Sequence, residues 1–87
     1  MHVQNITGNR GNKIANQFRI YTDNGSIFQS YDSTIVKIEN GKTYLDQKYW
    51  NYSNTTGKYR NIFLGETIKD TKKKIKSGEY ILTDLNK

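Results

Sequence analysis

Alternating apolar and polar residues fill the first half of the chain and predict the strands of an antiparallel sheet. Phe18 and Ile20 fall on one face of such a strand, and Arg19 and Tyr21 fall on the other. Asn40-Gly41 is a strong hairpin signal, because both central residues of the favoured two-residue turn need a positive φ. The predicted strands are residues 3–6, 14–22, 26–31, 35–39 and 42–46.

The hydrophobic period changes midway along the chain and predicts two helices followed by a strand. Ser53 is a suitable N-cap for a first helix over residues 54–64, and Gly65 has the conformational freedom to end it. Thr67 is a suitable N-cap for a second helix that ends near residue 77. The face of the first helix predicted to pack on the sheet consists of Thr55, Tyr59, Ile62 and Phe63.

These elements predict a single small α+β domain over residues 1–87. It is expected to contain an antiparallel meander sheet of four to six strands, with two short helices packed on one face. Only 33% of the residues are hydrophobic, so the large rings of Trp50 and Phe63 are needed in the core between helix and sheet. The meander is predicted over about residues 3–46, the helical segment over about 47–77 and the final strand over about 79–84.

The residue content argues against most kinds of catalytic and metal chemistry. The chain has no cysteine and a single histidine, His2, which argues against thiol chemistry and against a multi-histidine metal site. The eight acidic residues are scattered singly, mostly at predicted turns and helix starts, where capping explains them. We therefore predict no enzymatic activity, no metal and no cofactor. The chain also lacks an apolar stretch of membrane-spanning length, so we expect no membrane partner.

Positive charge is concentrated in the helical segment. The chain has 14 lysine and arginine residues against 8 acidic ones, a net charge of +6, and residues 51–78 carry seven cations against two acids. Four lysines of the second helix fall within an arc of about 100°. Such a stripe either binds a phosphate backbone or an acidic protein surface, or is a solvated helix face, and both interpretations stay open. A fifth lysine, Lys74, is expected to pair with Asp70. The predicted basic binding face consists of Lys58, Arg60, Lys69, Lys72, Lys73 and Lys76.

Aromatic residues cluster before the first helix and provide a second candidate site. Tyr49 and Tyr52 lie in residues 47–52, a segment predicted to be helical or irregular, with lysines nearby in sequence. Bases stack on exposed rings that stand beside cations, so both tyrosines are candidate binding residues. A pocket around Tyr49, Tyr52 and Arg60, near the helix N-terminus, would suit the phosphate of a nucleotide.

The second half of the chain contains a specific series of aromatic and hydroxyl residues. From Trp50 to Leu64 the sequence fits the pattern Trp-x-Tyr-Ser-x-Thr-Thr-x-x-Tyr-x-x-x-Phe-Leu. With Ser30-Tyr31 and the segment 43–46, this resembles a family of uncharacterised small proteins carried by phages and other mobile elements of Gram-positive bacteria. Asn51 departs from that family, which usually has aspartate there. The resemblance implies a mobile-element origin and action in the host cytoplasm, and it carries no established activity or catalytic residue.

Small accessory proteins of this origin often act by stoichiometric binding. The leading hypothesis is therefore an anti-defence inhibitor, such as an anti-CRISPR protein, of a host defence protein or nucleoprotein. The alternative is a non-enzymatic accessory protein that binds a DNA or RNA backbone through its lysine-rich helix. A nucleotide-binding sponge is the third hypothesis. A basic inhibitor cannot imitate DNA, so it would engage an acidic patch, a guide RNA or a nucleoprotein. Exposed tyrosines leave pairing into a homo-oligomer open.

Overall fold

The computed structural model describes residues 2–8 and 10–86 and contains one six-stranded sheet with two helices against one face. The strands lie in the sheet in chain order, from β1 at one edge to β6 at the other. This arrangement confirms the predicted α+β class. The elements are β1 (His2–Thr7), β2 (Lys13–Thr22), β3 (Gly25–Ser30), β4 (Ser33–Glu39), β5 (Lys42–Asp46), α1 (Asn54–Leu64), α2 (Ile68–Ser77) and β6 (Tyr80–Thr83).

Short turns join the first five strands into the predicted antiparallel meander. Asn40 and Gly41 both have positive φ, at 52° and 79°, as the hairpin signal requires. Gly25 opens β3 directly opposite Glu39, and a Cβ atom there would collide with the carbonyl oxygen of Ile38. Glycine is therefore the residue that lets β3 and β4 pair along their whole length.

The final strand joins the sheet in parallel, whereas every earlier pairing is antiparallel. β6 lies beside β5, with Leu45 opposite Leu82. A tight hairpin reverses the chain, but the crossover through α1 and α2 brings it back to the end of the sheet from which β5 started. The connection between β5 and β6 therefore determines the direction of this pair.

The core lies between the sheet and α1, as expected. The ring of Phe63 stacks on that of Phe28 with 5.7 Å between centroids, and the guanidinium of Arg19 lies 4.6 Å from the Phe63 ring. The prediction that Phe63 belongs to the core is confirmed, while Trp50 is half-buried at its margin. The buried hydrophobic residues are Ile6, Phe28, Ile35, Val36, Leu45, Tyr59, Phe63 and Tyr80.

Both helices have the predicted caps. The Ser53 hydroxyl accepts a hydrogen bond from the Thr56 amide at 3.1 Å, and the Thr67 hydroxyl accepts one from the Asp70 amide at 3.3 Å. Gly65 ends α1 in the left-handed conformation, and Gly78 ends α2 in the same way. These short-range signals determine the ends of the helices. No helix among the described residues is long and apolar enough to cross a membrane.

The buried face of α1 differs from the one predicted. Thr55 is exposed and Ile62 is 38% exposed, whereas Thr56 and Arg60 are buried. Few apolar residues mark a face on this helix, so hydrogen bonding decides which side packs inward. The Thr56 hydroxyl lies 3.3 Å from the Ser30 hydroxyl on the sheet, which satisfies both groups inside the protein.

Candidate functional site

Four exposed lysines form a continuous stripe on α2. They stand three, four and seven residues apart, so they share one side of the helix, as predicted. Among residues 2–8 and 10–86 the ion pairs are Lys37–Glu39 and Lys74–Glu66, so none of the four is neutralised by a carboxylate. We call this stripe the lysine face, and it consists of Lys69, Lys72, Lys73 and Lys76.

Lys74 belongs to a polar cluster around Glu66, which we call the Glu66 cluster. Its predicted pairing with Asp70 is wrong. Its ammonium contacts Glu66 at 2.7 Å, because Asp70 instead accepts a hydrogen bond from the cap residue Thr67. The Glu66 carboxylate also accepts bonds from the hydroxyls of Tyr80, at 2.7 Å, and Thr71, at 2.6 Å. The carboxylate therefore ties α2 to β6 and holds the lysine face in position.

The hydrogen bonds of this cluster shift the pKa values of its members. Burial alone raises the pKa of Glu66, but its three donors outweigh burial and leave the pKa below the ordinary value. The hydrogen bond to Glu66 raises the pKa of the Lys74 ammonium. Burial, reinforced by the bond to Glu66, raises the pKa of the Tyr80 phenol. The folded state therefore favours a carboxylate, an ammonium and a neutral phenol.

We expect stability to fall at both ends of the pH range. The contribution of Glu66 to the free energy of unfolding is present above its ordinary pKa of 4.5. It is lost as the pH falls through the lower pKa that Glu66 has in the folded protein. The contributions of Lys74 and Tyr80 are complete below their ordinary values of 10.5 and 10.0, and are lost as pH rises through the higher folded-state values. The urea midpoint should stay level between about pH 6 and 9 and fall below about pH 4 and above about pH 10. A Glu66→Gln variant with an unchanged alkaline limb would contradict this account.

Asp46 anchors the aromatic segment that precedes α1. Its buried carboxylate accepts hydrogen bonds from the backbone amides of Tyr49, at 2.8 Å, Lys48, at 3.0 Å, and Leu85, at 2.8 Å. Burial raises the pKa of Asp46, but these amides and Asn86 outweigh it, and the pKa lies below its ordinary value. One carboxylate thus holds the end of β5, the following turns and the C-terminal segment together.

Arg60 does not belong to an exposed basic face, contrary to the prediction. The residue is 1% exposed, and its guanidinium lies 5.3 Å from the ring of Trp50. Its Nη1 donates to the Trp50 carbonyl at 2.7 Å and to the Asn51 side chain at 3.2 Å. The sequence analysis assigned Arg60 to the basic face by its charge alone, whereas the ring and the carbonyl that cover it come from residues before the helix. Lys58, by contrast, is exposed as predicted.

The predicted pocket around two tyrosines and Arg60 is divided between two cavities. Tyr49 and Tyr52 pack edge to face at 5.4 Å and line a pocket of about 350 Å³ with Ser30, Ser53 and Thr56. Tyr52 is 69% exposed. Arg60 lines a separate groove along α1. The aromatic pocket therefore offers rings and hydroxyls, and no cation from residues 2–8 and 10–86 takes part in its lining.

A mainly apolar row of side chains crosses the sheet face opposite the helices, a feature that the strand-by-strand interpretation missed. The row crosses all six strands, and its charged member, Lys37, is paired with Glu39 at 3.1 Å. The two ends of the row are open to solvent, with Val3 53% and Ile81 40% exposed. We call this the open sheet face, and its row is Val3, Ile20, Ile27, Lys37, Tyr44 and Ile81.

The sequence comparisons give the protein a family. Residues 1–81 match the family of unknown function DUF8033. The chain belongs to this family. No curated protein and no solved structure matches it significantly. Membership of DUF8033 confirms the predicted kinship with an uncharacterised protein family. The mobile-element origin and the anti-defence role stay predictions.

Proposed function

We propose that this chain acts by stoichiometric binding, without catalysis, and that its lysine face binds the phosphate backbone of a nucleic acid within a host nucleoprotein. The observation that carries the proposal is the row of four exposed lysines without a carboxylate partner among the described residues. A phosphate backbone attracts such a row through charge alone. Because arginine is scarce in the chain, we expect binding that depends little on base sequence.

The charge pattern of α2 favours binding over mere solvation. A solvated helix usually alternates acidic and basic residues at helical spacing, and those pairs support the helix. α2 instead has five lysines and one acid, Asp70, whose carboxylate is occupied at the N-cap. Mutual repulsion along the lysine face weakens the helix, and the Glu66 cluster offsets that cost. A bound polyanion would relieve the repulsion.

An anti-defence role is the biological setting that we propose for this activity. It rests on the resemblance to small proteins of phages and mobile elements. A chain with a net charge of +6 cannot occupy a DNA-binding cleft as a mimic of DNA. It can contact a guide RNA or a DNA strand held by a defence complex, and so block access to that strand. Inhibition would then require about one chain for each complex.

The salt dependence of binding tests the proposal. Affinity for a short DNA duplex and for a single-stranded RNA should fall steeply between about 50 and 300 mM salt, with a log–log slope near −3.6 for four contacts on duplex DNA. Fluorescence anisotropy with labelled strands measures it. The affinity should vary little among strands of different sequence. Absence of binding at the lowest salt concentration, or a flat slope, would refute backbone binding by the lysine face.

The open sheet face supports a second candidate function, inhibition through direct contact with a host protein. It is favourable for a partner to cover exposed apolar residues such as Val3 and Ile81, and the charged member of the row, Lys37, is paired with Glu39. Binding of this kind would persist after nuclease treatment and would depend only modestly on salt. The salt titration therefore distinguishes the two candidates.

A further inference from the structure

The aromatic pocket lies between the turn that joins β3 to β4 and the start of α1. We propose that it binds a nucleobase, stacked on the rings of Tyr31 and Tyr52, either as a free nucleoside or as an unpaired base of a single strand. Its volume of about 350 Å³ lies within the range of small-molecule sites. The described lining contains no residue of α2, so the proposal does not rest on the function proposed for the lysine face.

The two rings that would contact the base are open to solvent. Tyr52 is 69% exposed and Tyr31 is 56% exposed, and both line the pocket. Tyr49 packs edge to face with Tyr52, which holds this pair of rings in place. A base can therefore reach both exposed rings while the buried core stays as it is. Stacking on exposed aromatic rings binds unpaired bases with little dependence on sequence.

The backbone at Tyr31 has a conformation that its own side chain disfavours. Its φ is 54°, at the first position of a two-residue turn flanked by the pair Ser30 and Ser33. A bulky residue with positive φ is rare, and asparagine or glycine is usual in such turns. The next hairpin follows that preference, because Asn40 occupies the matching position with a φ of 52°. A residue held in a strained conformation points to a role for its side chain, and here the side chain supplies an exposed ring of the pocket.

The composition of the lining favours a flat, neutral ligand. Among the described residues it consists of rings, hydroxyl groups and one aliphatic side chain, Ile35. Lys48 lies 5.4 Å from the centre of the Tyr49 ring but does not line the pocket. A phosphate or carboxylate would therefore lose hydration there without meeting a cation. A sugar needs a partner for each of its many hydroxyl groups, whereas a base has two wide apolar faces and few polar edge atoms.

One hydroxyl hydrogen in the lining is left for the ligand. The Ser53 hydroxyl donates to the Thr56 hydroxyl at 3.2 Å, and the hydroxyls of Thr56 and Ser30 share one further hydrogen bond at 3.3 Å. These two bonds use two of the three hydrogens, so one hydrogen of Ser30 or Thr56 has no acceptor among the described residues. Both residues are buried, and buried donors normally have partners. A ring nitrogen or carbonyl oxygen on the edge of a base would accept this hydrogen.

Two-dimensional NMR of the isotope-labelled protein tests the site. We expect adenosine to shift the backbone amides of residues 30–35 and 49–56, AMP to bind no more tightly than adenosine, and glucose to leave these amides unchanged. A single-stranded RNA that carries 2-aminopurine tests the second source, because the fluorescence of this base falls when it stacks. Shifts with adenosine would identify a free nucleoside as a ligand. Quenching of the RNA probe without adenosine shifts would identify a base that enters as part of a strand.

Substitution of the exposed tyrosines separates stacking from folding. Tyr31→Asn and Tyr52→Ala should each weaken binding of the responding probe by at least about fivefold, because each removes one stacking ring. The thermal midpoint of Tyr31→Asn should not fall, because asparagine tolerates a positive φ. Tyr21→Ala is the matched control. It removes a tyrosine that is 40% exposed and lies outside the pocket, so it should leave binding unchanged.

The lysine face provides an independent control. Its glutamine variant should bind the RNA more weakly but keep the adenosine shifts and the full quenching at saturating RNA, so failure of either proposal is recognised separately. Absence of both adenosine shifts and quenching in the unchanged protein would overturn the proposal, as would full affinity in both Tyr31→Asn and Tyr52→Ala. Shifts of the same amides by glucose as large as those by adenosine would overturn the assignment of a base.

Discussion

Replacing the four residues of the lysine face by glutamine should weaken the binding of a short DNA duplex by about 100-fold or more at physiological salt. Each lysine that neutralises a phosphate releases condensed counterions, so removing four contacts should also flatten the log–log salt slope by about 3.6. The stability of the protein should stay within about 1 kcal/mol, because the four side chains are exposed and outside the Glu66 cluster. Anisotropy titrations and urea unfolding measure both effects.

A second variant with the same change of net charge provides the matched control. Neutralising four exposed cations away from α2 alters the total charge equally and leaves the lysine face complete. We expect this control to lose only a few-fold in affinity. Equal losses in the two variants would mean that total charge, and not the stripe on α2, attracts the nucleic acid. The control replaces Arg10, Lys13, Lys42 and Lys48 by glutamine.

Asp46→Ala should be the most destabilising single substitution that we predict, with a loss of about 3–5 kcal/mol in the free energy of unfolding. The carboxylate accepts hydrogen bonds from three backbone N–H groups, and its removal leaves these donors without that partner in a partly buried region. The turns before α1 and the C-terminal segment would then come apart from β5. Urea denaturation followed by circular dichroism measures the loss.

Two related variants separate the hydrogen bonds of Asp46 from its charge. Asp46→Asn keeps an acceptor oxygen and should cost less than the alanine variant, about 1–2 kcal/mol. Asp32→Ala removes an exposed carboxylate and should change stability by less than about 0.5 kcal/mol. A loss below about 1 kcal/mol in Asp46→Ala would show that the amides find other partners. The anchoring role of Asp46 would then be wrong.

Local signals in the sequence were sufficient to predict the elements. Ser53 and Thr67 cap their helices with hydroxyl groups that reach amides three residues ahead, and Gly65 ends α1 in a conformation that glycine adopts readily. The Asn40-Gly41 hairpin rests on the same kind of preference. In each case the two partners lie within a few residues of each other, so a short stretch of sequence is enough to recognise the interaction. The exposure of the lysine face follows for the same reason, since the helical period and the polarity of lysine determine it.

The partners of the polar side chains required the tertiary structure. Lys74 pairs with Glu66, which lies in the turn between α1 and α2, although Asp70 is nearer in sequence. Asp46 is bound to Leu85, which lies far away along the chain. The sequence does not show which distant donor a carboxylate will bind. The free energy of such a hydrogen bond depends on how deeply it is buried, and only packing of the chain determines that burial.

Both candidate sites show the same division between sequence and structure. The sequence alone determined a small, cationic α+β domain, its helix limits, its strand limits to within two residues, and a stripe of lysines on its last helix, because each follows from composition or from short-range geometry. Only the tertiary structure decided that Arg60 is buried beneath Gly57, that the aromatic pocket excludes it, and that an apolar row crosses the open sheet face. Those features need residues from separate elements to meet, and packing and hydrogen bonding of the whole chain determine which ones do.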